Sequence, residues 1–579
     1  MKKIVKFGVT SLLCATLGLT LVACGGGQGG NTGGGQGGGT VTPVPTDNPL
    51  GYQWLDTTKP ILADANNELS FKIISSKNSL ALDYKDMKVF KDLEASTNVH
   101  ANWENISESS YDTQKSLILS DKKRYPDALY HAGFSNKELI QYGTSRHVIT
   151  AIDNYLDYMP NFKAILEKRP DIKAALQNPD GHIYSLPRVE EMGLKPYPNI
   201  LFINKEWVGK LIDQNALSFS LSKDDLKDGL KLKRSQYKEI LTKFKTLDMN
   251  GNGNANDEIP LSFVHGNWQG NESDLIASFG IAENMDHKTI INNKVVFTCQ
   301  DPKWRNAISE LTTWVKDGLI EQAAFEDGQD TFLAKGKVNS QGHEKLGSFY
   351  WWEMETVISE SEQANYITMQ PLVDDATNKQ YVGVSTLQEV EKGECVIFEK
   401  CENKEILLTY FDRFFNPYVS AQINYGPVGI VYEEELQNGK LVNKPVPAGM
   451  TTDELRLKNA PLGVIYLSDD AWQNNVVMEP RAVLRLDRLN KYVKPYTYEG
   501  VSRFPNISYS LEEINKLATY ETNLGDVIGS QFISWMLKGS AITDDEWNAF
   551  QAKLTKAGVE EVKKINQAGY DRYLASQAK

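Results

Sequence analysis

Cysteine and histidine are scarce in this chain, and basic residues are outnumbered by acidic ones. Five cysteines and seven histidines among 579 residues are too few for a disulfide-stabilised scaffold, and no C-x-x-C pair is present to bind zinc. The formal net charge of −13 disfavours nucleic-acid binding, because affinity for phosphate depends on clustered cations. The sequence also lacks the G-x-S-x-G, H-E-x-x-H and Walker motifs, which argues against several common classes of hydrolase and nucleotide-binding enzyme.

The N-terminal apolar run, residues 7–23, is too short to predict a membrane-spanning helix. It follows a basic start and ends in Leu21-Val22-Ala23-Cys24, which matches a bacterial lipobox. We therefore predict a lipoprotein signal peptide over 1–23 and a palmitate-bearing Cys24; the alternative is an ordinary secretory signal with an incidental cysteine. Residues 24–63 are rich in Gly and Pro and predict a flexible tether. Several acyl chains at one residue give a stable anchor, so we expect an extracytoplasmic protein that is lipid-anchored to the cell membrane.

Three cysteines remain in the body of the chain, at Cys299, Cys395 and Cys401. Cys395 and Cys401 are the only pair close enough in sequence to suggest a local disulfide. The other interpretation is that all three are small buried apolar side chains.

Alternating strand and helix patterns begin near Asn66 and predict an α/β fold with a mostly parallel sheet. The predicted strands are 69–75, 99–104, 127–130 and 200–204, and the predicted helices are 87–97, 111–120, 401–416, 510–537 and 543–573. We expect two lobes with a binding cleft between them and a helical C-terminal portion. The expected N-terminal lobe comprises 64–198 and about 380–428, and the expected C-terminal lobe comprises 199–379 and about 429–579.

An asparagine-rich loop predicts a cation site. Oxygen-bearing side chains recur at every second position through a glycine turn, at Asp248, Asn250, Asn252, Asn254, Asn256, Asp257 and Glu258. This spacing matches the first half of an EF-hand calcium loop. The bidentate Glu of position twelve is replaced by Ile259, so Asp257 or Glu258 would have to serve instead. The alternative is a plain polar turn, which Asn and Gly also form.

The aromatic residues of the chain favour a sugar ligand. A sugar ring has an apolar C–H face that stacks on an aromatic ring and hydroxyl groups that need donors and acceptors. Two adjacent tryptophans on one strand cannot both face one core, so at least one of Trp351 and Trp352 should line a surface or cleft. We predict stacking surfaces at Trp103, Phe134, Trp268, Tyr350, Trp351, Trp352 and Tyr425, and hydroxyl partners at Glu104, Asn267 and Glu353. The tryptophans in helix-like stretches are assigned to packing instead: Trp304, Trp314, Trp535 and Trp547.

A series of short motifs occurs in the body of the chain. The motifs are Trp103-Glu-Asn-Ile, Tyr125-Pro-Asp-Ala, Ala132-Gly-Phe-Ser, Pro179-Asp-Gly-His-Ile-Tyr-Ser-Leu-Pro187, the loop that leads into Asp257-Glu-Ile-Pro260, Asn424-Tyr-Gly-Pro-Val-Gly429, Asp544-Asp-Glu-Trp547 and Tyr570-Asp-Arg-Tyr573. In this order behind a lipobox, they resemble the family 1 extracellular solute-binding lipoproteins of bacterial ABC sugar importers. The resemblance is to the large LipO and alginate-oligosaccharide-binding type.

The resemblance implies a two-lobe, type II periplasmic-binding-protein-like clamp that closes on an oligosaccharide and delivers it to permease subunits in the membrane. It also implies a structural Ca²⁺ at Asp248, Asn250, Asn252, Asn254, Asn256 and Asp257. One extra residue before Asp257 leaves the last ligands open between Asp257 and Glu258. We expect a monomer without catalytic activity.

Two other functions remain open at this point. A secreted carbohydrate-active enzyme would need two carboxylates in the cleft, and the sequence offers Glu104, Asp127, Glu190, Glu191, Glu353 and Glu355. A sensory or adhesive lipoprotein would use the same clamp to present its ligand to a partner. Conversion of the bound sugar into products would identify the enzyme, and copurification with permease subunits would identify the transport protein.

Overall fold

The computed structural model describes residues 58–191, 195–339 and 342–577. The predicted signal peptide, Cys24 and nearly all of the predicted tether lie outside these residues. The first lobe is built on a six-stranded sheet with the spatial order Ile465–Leu467, Leu186–Glu190, Val390–Ile397, Ala128–Tyr130, Ser70–Lys77 and His100–Ser107. The strand Val390–Ile397 runs antiparallel to both its neighbours, and the other pairs are parallel. The predicted, mostly parallel α/β sheet is thus present.

Helices cover the sheet of the first lobe because each carries an apolar stripe at helical spacing. The helix Lys88–Thr97, for example, buries Val89, Phe90 and Leu93 against the sheet core. The α-helices of this lobe are Lys88–Thr97, Glu108–Ser120, Asn136–Leu139, Pro160–Lys168, Pro170–Leu176, Lys404–Asp412, Pro417–Tyr425, Thr452–Asn459 and Asp469–Asn474.

The second lobe contains two small antiparallel sheets and most of the long helices. One sheet has the order Ser348–Trp351, Ile200–Asn204 and Tyr366–Thr368, and the other has the order Val501–Ser502, Lys288–Ile291 and Lys294–Phe297. The α-helices of this lobe are Lys205–Asp213, Arg234–Thr246, Ser273–Ala277, Pro302–Lys316, Gln329–Lys335, Met354–Val357, Pro480–Tyr492, Leu511–Met536, Asp544–Ala557 and Val559–Gln577. Its core includes the four tryptophans that the sequence assigns to packing, all of them buried.

Elements of the two lobes follow one another along the chain at three crossings: between the strands that end at 190 and begin at 200, between those that end at 368 and begin at 390, and between the strand that ends at 467 and the helix that begins at 480. The last crossing corrects the predicted boundary near 428. The strand Ile465–Leu467 pairs with Leu186–Glu190, and Tyr432, Leu441 and Val476 belong to the core of the first lobe. The segment 429–476 therefore packs with the N-terminal lobe and not with the C-terminal lobe.

Two predicted helices end earlier than the sequence pattern suggests. The predicted helix 543–573 is broken at Gly558, which adopts a left-handed conformation with φ of 94°, as is typical of a residue that ends a helix. The predicted helix 401–416 is shorter, from Lys404 to Asp412. The cysteines Cys299, Cys395 and Cys401 are free and buried, so the apolar interpretation is confirmed. Among the described helices, none combines the length and apolar composition needed to cross a bilayer.

Candidate functional site

A cavity of about 510 Å³ lies between the lobes and receives side chains from both. The first lobe contributes the aromatic rings of Tyr425, Tyr432 and Trp472, and the second contributes Trp268 and Trp352. Charged side chains also line the cavity, at Glu190, Lys195, Glu391, Lys444, Asp453, Arg456, Glu479, Arg481 and Arg485. A volume in this range, with apolar walls and separate polar groups, is typical of a small-molecule site.

Several cleft residues stand where strands end. Glu190 is the last residue of Leu186–Glu190, and Trp352 directly follows Ser348–Trp351. Trp472 lies on the short helix that comes directly after Ile465–Leu467. The carboxyl ends of strands are the usual position of ligand sites in sheets of this kind.

The wall of the first lobe is organised around Glu190. Its Oε2 accepts a hydrogen bond from Arg188 at 2.6 Å, and its Oε1 accepts from Asn424 Nδ2 at 3.1 Å and from the Tyr425 hydroxyl at 3.2 Å. Burial raises the pKa of this carboxyl, but the neighbouring cations, chiefly Arg188 and Arg456, outweigh burial and hold the pKa of Glu190 below its usual value. Glu190 is therefore a fixed carboxylate that can accept hydrogen bonds from a ligand.

The wall of the second lobe is organised around Glu353, which is fully buried. Its carboxylate lies 3.4 Å from Arg481 and 3.3 Å from Arg485. The guanidinium of Arg485 lies 4.8 Å from the ring centroid of Trp352. Burial raises the pKa of Glu353 to about 7, against the opposing effect of the two arginines. Glu353 thus lies behind the cleft as the counter-ion of cleft arginines, which corrects its predicted role as a hydroxyl partner.

The two adjacent tryptophans face opposite sides of their strand, as the alternation of side chains requires. Trp351 is 1% exposed, packs against Phe332 at 4.9 Å between ring centroids, and donates its indole N–H to Thr356. Trp352 lines the cleft. The prediction that one of the pair leaves the core is confirmed, and Trp351 is placed behind the cleft.

Trp268 and Tyr425 also lie on the cleft wall, and Asn267 is the residue before Trp268. The structure does not bring the remaining predicted residues to the cleft. Trp103 and Phe134 are buried in the first lobe, where Trp103 packs 4.3 Å from the ring of Phe90. Tyr350 is buried in the second lobe.

Glu104 differs from the cleft residues in its exposure. It is exposed on the sheet of the first lobe and pairs with Lys72 at 2.9 Å. Like Trp103 and Phe134, it is a residue that the sequence predicts at the ligand site. None of these three residues lines the cleft: Trp103 and Phe134 are buried within the first lobe, and Glu104 lies on the edge strand His100–Ser107.

Sequence reasoning missed several cleft residues. Trp472 lies shortly after the strand Ile465–Leu467. A prediction of that strand would have made Trp472 a candidate for the cleft, because ligand sites lie at the carboxyl ends of strands. Arg456 lies on the helix Thr452–Asn459, donates to the Asn424 carbonyl at 2.8 Å and lies 4.8 Å from the ring centroid of Tyr425. No local pattern distinguishes such an arginine from an exposed one, because its role depends on which helix faces the cleft.

The asparagine-rich loop is folded around the carboxylate of Asp248. Asp248 accepts backbone N–H bonds from Gly251, Asn252 and Gly253 at 2.8–3.1 Å. One carboxylate oxygen of Asp257 and one of Glu258 are buried without a hydrogen-bond partner. Among the described residues, no group of three or more His, Cys, Asp or Glu side chains is arranged to hold a metal, so amide oxygens would have to complete any site.

Glu394, on the strand Val390–Ile397, should make the stability of the protein depend on pH. It is buried, and burial raises its pKa to about 7 against the effect of Arg188. A raised carboxyl pKa favours the folded state while the group is protonated, and this contribution is lost as pH rises through the folded-state pKa. We expect Glu394→Gln to increase the free energy of unfolding by about 2–3 kcal/mol at pH 8 and by almost nothing at pH 4.5.

Urea unfolding at both pH values measures this difference. The exposed Glu402 on the following turn provides the control, and Glu402→Gln should be neutral at both. A Glu394→Gln effect that is equal at pH 4.5 and pH 8 would contradict the assignment.

Solved structures with this fold include solute-binding proteins of transporters. The HMO-binding, ABC-transporter-associated solute-binding protein of Bifidobacterium longum infantis is 20% identical and aligns with a TM-score of 0.73 over 88% of this chain and 99% of that chain. The alginate-binding protein AlgQ2 is 19% identical, with a TM-score of 0.63 over 87% and 98% of the two chains. The chain therefore has the two-lobe α/β fold of the solute-binding proteins, as predicted.

A more similar relative is a substrate-binding protein of an ABC transporter. The chain is 29% identical over 507 residues to the fructooligosaccharide ABC transporter substrate-binding protein FusA of Streptococcus pneumoniae serotype 4 (strain ATCC BAA-334 / TIGR4), across 86% of this chain and 88% of that protein. The structure of FusA in complex with kestose aligns with a TM-score of 0.74 at 28% identity, over 87% of this chain and 99% of that chain. No protein-family model matches the chain. The similarity confirms the predicted resemblance to ABC-transporter solute-binding proteins and the prediction of a binding protein and not an enzyme.

Proposed function

We propose that this protein captures an oligosaccharide in the cleft between its lobes and delivers it to the permease subunits of an ABC transporter. The observation that carries the proposal is the cleft itself, which is lined by aromatic rings from both lobes and by hydrogen-bonding side chains. Because each lobe supplies only part of the lining, ligand contacts are completed when the lobes approach. Such differential contact stabilises the closed state.

The aromatic and the charged residues of the cleft have different roles in binding the sugar. The rings of Trp268, Trp352 and Trp472 offer flat apolar surfaces to the C–H faces of sugar units. Glu190 accepts hydrogen bonds from hydroxyl groups, and Arg456 donates them. None of these roles needs a bond to be broken in the ligand.

The charges of the cleft favour an uncharged ligand. Arg481 and Arg485 share the carboxylate of Glu353, Arg188 is paired with Glu190, and Lys195 is paired with Glu391. An acidic sugar would have to compete with these carboxylates for its cations, which costs free energy in a partly buried site. Fructo-oligosaccharides such as kestose, which the relative FusA binds, are the first ligands to test.

Titration calorimetry with kestose, a longer fructo-oligosaccharide and an alginate oligosaccharide tests this proposal. We expect saturable binding of a neutral oligosaccharide, recovery of the intact sugar by chromatography, and no binding of alginate fragments. Failure of every neutral oligosaccharide to bind, or recovery of cleaved sugar, would overturn the proposal.

The asparagine-rich loop, in this proposal, holds a structural Ca²⁺. The unpartnered buried oxygens of Asp257 and Glu258 fit a cation, because a buried carboxylate oxygen without a partner is costly. Oxygen ligands are also what calcium requires. Asp248, Asn250, Asn252, Asn254, Asn256, Asp257 and Glu258 are the candidate ligands. The ion would supply charge compensation that fixes the loop.

Removal of calcium should lower the melting temperature of the protein by several degrees, because an ion that binds only the folded state stabilises it by mass action. Saccharide binding should survive chelation at saturating ligand concentration. We expect Asp257→Ala to abolish the response of the melting temperature to calcium, whereas Asp317→Ala, at an exposed carboxylate outside the loop, should preserve it. A melting curve that chelator leaves unchanged would contradict the calcium site.

The location of the protein follows from the predicted lipobox, which lies outside the described residues. We propose that Cys24 carries the lipid anchor, including palmitate, and that the tether holds the two lobes at the outer face of the cell membrane. There the protein works as a monomer beside its permease.

A further inference from the structure

The loop that carries the cleft residue Trp268 is tied at its base. His265 Nδ1 lies 2.5 Å from Glu272 Oε1, and the Gly270 carbonyl accepts a hydrogen bond from Val264 at 2.8 Å. Asn271 Nδ2 donates to the carbonyl of Asn267 at 2.9 Å. Trp268, which is 40% exposed, therefore lies in a loop whose base is held by hydrogen bonds.

The same loop is fastened to the first interlobe crossing. Asn199, in the crossing between 190 and 200, accepts a hydrogen bond from the Asn271 backbone at 3.2 Å and donates its side-chain amide to Asn271 Oδ1 at 3.3 Å. Both asparagines are buried. Reciprocal amide bonds in a buried site fix the relative position of the two segments, because breaking either leaves an unsatisfied polar group.

The second crossing is fastened by Asp274. This residue lies in the first turn of the helix Ser273–Ala277, and its Oδ1 accepts the backbone N–H of Gly383 in the crossing between 368 and 390. A Cβ atom at Gly383 would lie 2.6 Å from that oxygen, so the close approach depends on glycine. Burial raises the pKa of Asp274 to about 7, and the nearby Asn199 side chain opposes that rise. Trp268, Asn199, Asp274 and Gly383 line one small cavity.

We propose that Asp274 is a hinge-positioning residue, which together with Asn271 fastens two of the interlobe crossings to the Trp268 loop and thereby couples ligand contact in the cleft to closure of the lobes. Hinge closure concentrates backbone rotation in a few crossing residues. Asn199 and Gly383 lie in such segments. A ligand that orders Trp268 acts on both crossings through Asn271 and Asp274. The coupling rests on the proposed function, whereas the fastening of the crossings does not.

Hydrogen–deuterium exchange of the ligand-free protein tests the fastening. We expect Asp274→Ala to increase exchange in the segments 195–199 and 382–386. Asp274→Asn keeps an acceptor oxygen for Gly383 and should retain wild-type protection. Removal of the exposed carboxylate by Asp286→Ala should change neither segment. Unchanged exchange in Asp274→Ala would overturn the proposal.

Affinity for kestose, measured by calorimetry, tests the coupling. We expect Asp274→Ala to weaken binding by about tenfold and Asp274→Asn to restore it. Gly383→Ala disturbs the same contact from the backbone side and should also weaken binding. If Asp274→Ala fails to fold, the affinity of Gly383→Ala tests the coupling instead. Wild-type affinity in both Ala variants would overturn the coupling. If neither kestose nor any other neutral oligosaccharide binds the wild type, the proposed function is contradicted, and the exchange result then decides the fastening alone.

Discussion

Trp352→Ala is expected to weaken oligosaccharide binding by about 30- to 1000-fold, the loss typical of an aromatic residue at the centre of a binding site. The substitution removes a stacking surface of the cleft and the ring beneath Arg485. Trp352 contributes little to the core of the second lobe, so the melting temperature should change only slightly. Titration calorimetry and thermal unfolding of the same preparation measure the two effects.

The neighbouring tryptophan gives a matched control with the opposite outcome. Trp351 is buried behind the cleft, and Trp351→Ala should reduce the free energy of unfolding by about 3–5 kcal/mol through loss of packing. Trp351→Phe retains much of the ring, so it should reduce stability less and bind the ligand nearly as the wild type does. If Trp351→Phe abolished binding while Trp352→Ala had no effect, the assignment of the two faces would be wrong.

Glu190→Gln should weaken binding by about 10- to 100-fold, because a hydrogen bond to a charged group contributes more than one between neutral groups. The amide is similar in shape, but it lacks the charge that Arg188 faces at 2.6 Å. It also offers one acceptor atom where the carboxylate offers two. The substitution therefore affects the fixed acceptor of the first-lobe wall while leaving the cleft volume nearly unchanged.

Glu391 provides the control for Glu190. It lies in the same cleft and pairs with Lys195, but its side chain is 45% exposed. A charge at such a position is screened by water, so Glu391→Gln should change affinity by less than about threefold. Equal losses of affinity in Glu190→Gln and Glu391→Gln would indicate that affinity depends on the net charge of the cleft and not on the hydrogen bonds of Glu190.

The fold was predictable from the sequence where local patterns repeat. Alternating strands and helices indicated the α/β sheet of the first lobe, and period-two alternation indicated that Trp351 and Trp352 separate. The predicted lobe boundary was wrong because the strand Ile465–Leu467 has only three residues. A pattern that short cannot be distinguished from a loop, and its pairing partner lies far away in sequence.

The cleft was only partly predictable because burial is a tertiary property. Trp103 and Trp352 both stand on or beside strands, but the helix Lys88–Thr97 covers Trp103 with Phe90. Glu353 follows an aromatic run that suggests a sugar site. Its actual role as a buried counter-ion depends on arginines more than 120 residues away, which no local spacing shows.

Small-angle X-ray scattering, with and without saturating kestose, tests most directly whether this protein is a clamp. Closure of two lobes around a ligand brings their mass closer together. We predict a smaller radius of gyration in the presence of the sugar and no change with an oligosaccharide that calorimetry shows not to bind. An identical radius of gyration with and without bound kestose would contradict capture by lobe closure.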